Sequence, residues 1–241
     1  MSFLRKRFLI KTSLKIFIFI SLLIILNIVF FYKTFKHKEA FSANNIVLMG
    51  DSILNNEAYV GRRDTVKSKL LQHNNNRVFM FAKDHSMVYD AFTQLGEIPY
   101  YLNNSDTTII LSVGGNNILT KHLYSDKNKS FFSKNEDFGE THLRIIFDDY
   151  EHLIFTIRKN MHKAILYLMD IYYPQSNEFD KYAKYIGYWN RMLYKFAAEQ
   201  NIYVIKISES VKHSNDFTNG IEPSSVGATI IASQILNRLN S

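Results

Sequence analysis

Residues able to do chemistry cluster in three short motifs of this 241-residue chain. Gly50-Asp51-Ser52 closes one apolar run, Gly114-Gly115-Asn116-Asn117 closes another, and Asn219-Gly220-Ile221-Glu222-Pro223-Ser224 stands just ahead of an apolar C-terminal helix pattern. A serine hydroxyl at a strand-to-helix turn, close to a helix dipole, is placed as a nucleophile needs to be. An asparagine amide beside glycines can donate to a developing oxyanion, because glycine lets the backbone approach the reacting carbonyl. Glu222 carries a carboxylate, whose reference pKa of ~4.3 makes it a weaker base than imidazole at ~6.5 by about two units. Burial raises such a value and recovers part of the deficit. Each motif also has a purely structural use. Asp51 or Ser52 can cap a helix, Asn116 and Asn117 can occupy left-handed turn positions, and Glu222 can favour a helix N-terminus through the dipole.

The elements that position these motifs follow from periodicity. Five apolar runs, 45–49, 77–82, 107–113, 164–173 and 202–207, read as buried strands. Helical patterns occupy about 59–73, 87–97, 141–161, 181–200 and 224–239. Strands alternating with helices predict a parallel sheet covered on both faces, in which ligands bind beyond the carboxyl ends of the strands. Ser52, Asp84-His85 and Asn116-Asn117 all fall at such ends. In the last segment Pro223 suits a first helical turn, Ser224 or Ser225 can cap it, and Val226, Ile230, Ile231, Ile235 and Leu239 form a buried stripe. The polar stretch 120–140 reads as an insertion, a lid or partner loop.

Charge is unevenly spread. The net charge is +7, yet residues 1–38 hold eight Lys or Arg and no acid, leaving 21 basic against 22 acidic residues over 39–241. The basic excess therefore flanks the apolar segment 16–32 and gives no nucleic-acid patch. That segment, interrupted only by Ser21 and Asn27, reads as a transmembrane helix at the short end of the usual range. Greater positive charge before it than after it puts the N-terminus in the cytoplasm, and the following domain outside it or in a lumen. A secreted protein after signal cleavage is the competing expectation, with Ala40-Phe41-Ser42-Ala43 as a weak cleavage site. The expected division is thus 1–38, a cytoplasmic stub and anchor, and 39–241, the folded domain. Cysteine is absent and no His, Asp or Glu cluster has metal-ligand spacing, so neither a metal nor another cofactor is expected.

Taken in order, the motifs at 50–52, 114–117 and 219–224 resemble those of the SGNH/GDSL hydrolases over about 45–239. The resemblance implies a three-layer α/β/α domain with a central, mostly parallel five-stranded sheet of flavodoxin-like type. It makes Ser52 the nucleophile and Asn116 an oxyanion donor, beside the backbone N–H groups of Ser52 and of His85, which stands where a glycine is usual. The last family motif normally carries an aspartate, then a histidine, then Pro-Ser. Asn219 occupies the aspartate position and Glu222 the histidine position, which leaves Glu222 as the implied base, with His85 and His213 as alternatives. Implied substrates are acyl esters: a small acyl group, O-acetyl on a glycan, or a lipid ester. An O-acyltransferase and a catalytically degenerate protein that binds glycan or acyl ligands both remain open.

Overall fold

The computed structural model describes residues 45–73, 77–119 and 138–240, together with Ser21 and Asn27, both helical. Residues 43–241 form one compact unit. Its centre is a sheet of β1 (Asn45–Gly50), β2 (Arg77–Met80), β3 (Thr107–Ser112), β4 (Ile165–Met169) and β5 (Tyr203–Ile205) in the order β2-β1-β3-β4-β5. All four pairings are parallel, as the alternation of strand and helix predicts. β1 and β3 are buried along their whole length, which is why they read as unbroken apolar runs and not as alternating ones.

Among the described residues the sheet is accompanied by α1 (Val66–Leu71), α2 (Val88–Glu97), α3 (Gly115–Leu119), α4 (Phe138–Asn160), α5 (Ala183–Glu199) and α6 (Ser225–Leu239). α1 packs with α6 on one face, whereas α2, α4 and α5 pack together in the other layer. Trp189 of α5 is fully buried there, with Phe147 and Tyr150 of α4 set edge-on against its ring at centroid distances of 5.1 and 5.3 Å. Edge-to-face packing places the positive ring edge on the negative ring face, so it fixes orientation as well as burying area.

The patterns over 59–73 and 164–173 give elements well short of their sequence bounds. The helical pattern over 59–73 yields a helix only from Val66, because the chain first winds through turns. Thr65 then caps it, its side chain accepting from Ser68 N–H, while Asn56 accepts from Val66 N–H. The apolar run 164–173 pairs only through Met169. Beyond that point Ile171 gives its N–H to the Asn190 side chain at 3.0 Å and accepts from the same carboxamide at 2.7 Å, so a side chain replaces a neighbouring strand. Among the described residues no helix is long and apolar enough to cross a membrane. The apolar segment 16–32, apart from Ser21 and Asn27, lies outside the described residues, as do 120–137 of the polar insertion.

α6 starts at Ser224, whose hydroxyl oxygen accepts from Val226 and Gly227 N–H and whose own proton goes to Asn215 O. Ser224→Ala is expected to cost about 1 kcal/mol of stability. A lower denaturant midpoint at unchanged slope is the result to look for.

Candidate active site

The turn that carries Ser52 begins where β1 leaves the sheet. Gly50 has φ +125°, and a Cβ placed there would sit 1.6 Å from Ser112 O, so only glycine fits. Its backbone groups, cut off from strand pairing on one side, are taken by the buried side chain of Gln94. The Gln94 carbonyl accepts from Gly50 N–H at 2.7 Å, and its amide donates to Gly50 O at 2.8 Å and to Ser86 Oγ at 3.0 Å. Asp51 N–H continues to Ser112 O, and Asp51 Oδ1 accepts from Ile53 N–H. Ser52 follows, 6% exposed, and among the described residues its N–H has no acceptor.

Glu222 reaches the same place from the far end of the chain, on a small hairpin of β6 (Phe217–Thr218) and β7 (Glu222–Pro223). Asn219 and Gly220 turn it with φ +55° and +74°, and Ile221 N–H closes onto Thr218 O. An Asn-Gly pair with two positive φ values is what a tight antiparallel turn demands. Three contacts dock the hairpin: Tyr172 OH donates to Ile221 O at 2.7 Å, Gln175 N–H to Gly220 O at 2.8 Å, and Asn56 Nδ2 to Pro223 O at 3.1 Å. Behind it, buried Asp216 accepts from Lys212 and His213 N–H.

Ser52, Asn116 and Glu222 line one cleft of about 420 Å³, part of it open to solvent, at the carboxyl ends of β1 and β3. The Ser52 hydroxyl lies close enough to Glu222 to stabilise its ionised form, although Glu222 Oε2 is buried without a well-aligned partner. Burial dominates and holds the Glu222 carboxyl above the usual range, the Ser52 contact opposes this, and the nearby Asp84 carboxylate adds to it. Asn116 Nδ2 donates to Ser86 O at 3.0 Å, which pins its amide to the cleft wall. Asn117 Oδ1 accepts from Val88 N–H and so anchors the start of α2.

The other expected site residues are placed differently. His85 adopts φ +59°, its side chain is mostly exposed, and its backbone N–H donates to Asp84 Oδ1 at 2.8 Å. That N–H is therefore engaged within the chain instead of facing the cleft as an open oxyanion donor. Asn219 is an exposed turn residue and His213 an exposed one ahead of Asp216, and neither lines the cleft. Sequence reasoning passed over the side chains that hold the site together: Gln94, Asn56 and Tyr172, together with Asp84, which accepts from Tyr59 OH at 2.7 Å. Only the position of Asp84 at a strand end signalled it. Among the described residues no three His, Cys, Asp or Glu side chains converge as a metal site.

Asp51 is fully enclosed, and desolvation pushes its carboxyl up to about 8. An acid whose folded pKa exceeds its unfolded value binds its proton more tightly when folded. Its contribution to stability is complete below the unfolded value of 3.8 and is lost as pH rises toward about 8. Asp51→Asn should therefore flatten the fall of stability over that window, measured as denaturant midpoints at several pH values.

No family model matches the sequence, and no curated protein matches it either. Solved structures do match. A lipolytic protein of the G-D-S-L family from Veillonella parvula superposes with a TM-score of 0.60 at 17% identity, over 82% of this chain and 99% of that one. A GDSL-like lipase from Bacteroides thetaiotaomicron gives 0.57 at 15% identity, over 87% and 97%. An acetyl xylan esterase gives 0.58 at 13%, over 81% and 99%. These likenesses show the fold: the chain is built on the SGNH/GDSL hydrolase fold.

Proposed function

We propose that this protein is a serine esterase in which Glu222 replaces the usual histidine as general base. The reading rests on one observation: Ser52 and Glu222 line the same cleft with their side chains in interaction range. Proteins of the same fold include lipases and an acetyl xylan esterase. In the proposed reaction Glu222 accepts the Ser52 proton as Oγ bonds to the ester carbonyl carbon. The oxyanion is held by Ser52 N–H and by the Asn116 side-chain amide. Collapse breaks the bond to the leaving alcohol, which takes the proton from Glu222, and water then releases the acyl group from Ser52 by the same route.

A binding-only role is the second reading. Two observations favour it: the His85 N–H is occupied by Asp84, and Asn219 is exposed at a turn instead of orienting Glu222. Hydrolysis of p-nitrophenyl butyrate separates the two. With the esterase, Ser52→Ala drops to the uncatalysed background, and Glu222→Gln loses about 10²- to 10⁴-fold. The base is the ionised form, so the rate climbs with pH and levels off, with an inflection above the ordinary carboxylate range. Glu222→His moves that inflection toward the imidazole value of ~6.5. Absence of wild-type turnover overturns the esterase reading, and full turnover in Ser52→Ala overturns Ser52 as its nucleophile.

We also infer a single-pass anchor over 16–32, with the esterase unit on the extracytoplasmic or lumenal side. An apolar stretch of spanning length and the basic excess ahead of it support this. The full chain should stay with membranes through a carbonate wash while a chain starting at residue 39 is released. Release of both sinks the anchor.

A further inference from the structure

Opposite the cleft, the N-terminal ends of the strands form a rim of linked turns. Asn45 begins β1 there, its N–H held by Asp106 O just ahead of β3. The Asn103 side chain ties the turn before β3 to the turn before β4, accepting from Lys163 N–H at 2.9 Å, and Arg158 Nη1 reaches Gln200 O ahead of β5 at 3.3 Å. Four large apolar side chains stand out from this rim: Tyr100 is 82% exposed, Tyr101 66%, Tyr203 60% and Ile165 49%. Tyr101 keeps an edge on Phe79, and Tyr203 lies against Tyr167, so both rings are held while most of their surface meets water.

Positive charge follows the same rim. Arg77, Arg158, Lys159 and Lys163 are exposed on it against Asp106 and Glu199, and Glu199 already faces Lys195 at 3.9 Å. Residues 39–241 as a whole hold 21 basic and 22 acidic side chains, so this excess is local. Tyrosines mixed with Lys and Arg suit the interfacial zone of a bilayer, where rings sit at headgroup level and cations are drawn to anionic lipid. The chain also brings a bilayer within reach. Residues 33–44, between the apolar segment 16–32 and the start of β1 at this rim, can extend to at most about 40 Å. A tether that short raises the effective concentration of lipid surface at the rim.

We propose, resting on the anchor reading for the tether, that this rim docks on an anionic bilayer surface. β1 runs six residues from the rim to Gly50, about 20 Å. Docking therefore turns the Ser52 cleft away from the bilayer. On the esterase reading, the ester it cleaves is then carried by a molecule in the aqueous space and not by a lipid of the same bilayer.

The test places the full chain in vesicles of phosphatidylcholine and phosphatidylglycerol with brominated acyl chains, which quench tryptophan only at short range. Trp189, the one native tryptophan, is fully buried and gives a constant background. Tyr100→Trp and Tyr203→Trp should lose fluorescence on bromination, whereas Tyr89→Trp, exposed at the start of α2 near the cleft, should not. Lys159→Glu combined with Lys163→Glu should lower the docked-to-undocked ratio by roughly 25-fold, or about fivefold per lysine, and so restore the fluorescence. Phosphatidylcholine alone should restore it too. Equal quenching at all three positions, or none at 100 and 203, overturns the docking. Rim quenching that survives both the charge reversal and the loss of phosphatidylglycerol also overturns it, because it then reports the tether alone. If a carbonate wash releases the full chain, the anchor reading falls, and docking is read by flotation of that chain with the same vesicles. Flotation that needs phosphatidylglycerol and is lost on the charge reversal upholds the rim, and absent flotation overturns it.

Discussion

The buried carboxamide of Asn56 joins the two ends of the cleft. It donates to Pro223 O, 167 residues away, and accepts from Val66 N–H. The nucleophile turn leaves the sheet at Gly50, whereas Glu222 sits on a two-strand hairpin outside the sheet, so sheet pairing alone does not bring them together. A two-residue strand pair has little stability of its own, and the hairpin holds its place through what it docks on. Asn56 and Tyr172 grip its return strand, and Gln175 grips its turn. Because the amide is fully buried, losing either partner leaves a polar group unsatisfied, a cost of about 1–3 kcal/mol that enforces the geometry.

Gln94 does the equivalent work on the other side. A strand that must end in a turn exposes backbone groups that the sheet no longer satisfies. At Gly50 both the N–H and the C=O are recovered by one side chain from α2, which also reaches Ser86 on the loop carrying Asp84 and His85. Ser86 O in turn receives the Asn116 amide. The turn after β1, the loop after β2 and the start of α3 after β3 thus share hydrogen bonds and are not three independent turns. Shared partners make the positions of Ser52 and Asn116 interdependent.

How far the sequence revealed this differs between elements. β1 and β3 were legible because complete burial leaves unbroken apolar runs, and Gly50 at the end of β1 and Gly114 just beyond β3 marked where the chain turns. The start of α6 was legible from Ser224, its cap, whereas Pro223, expected in the first helical turn, instead ends β7. Gln94, Asn56 and Tyr172 were not, because their partners lie 44, 167 and 49 residues away and a polar residue within an amphipathic pattern carries no sign of what it will meet. Asn219 is a different case. Laid over the family pattern it reads as a lost aspartate, yet the adjacent Asn219-Gly220 pair is a strong local turn signal, and φ +55° at Asn219 is the conformation asparagine tolerates.

The two departures at 219 and 222 make physical sense as a pair. An imidazole base becomes a cation when it takes the serine proton, and an adjacent aspartate stabilises that cation and holds the ring in its working tautomer. A carboxylate base becomes neutral, has no tautomer to fix, and would be repelled by an aspartate beside it. With Glu222 in place an anionic residue at 219 has no task, and an asparagine suited to the turn fits the position better. In the proposed mechanism charge in the cleft then shifts from Glu222 to the oxyanion without creating an ion pair, so that the proposed reaction leans more heavily on neutral donors. Asp51 next to the nucleophile is kept protonated by burial up to about pH 8, which removes one negative charge that would oppose the oxyanion. Asp84 remains, and by holding the His85 N–H it withholds one donor from the oxyanion. In the proposed mechanism that single contact, more than the change of base, sets how well the cleft stabilises its transition state.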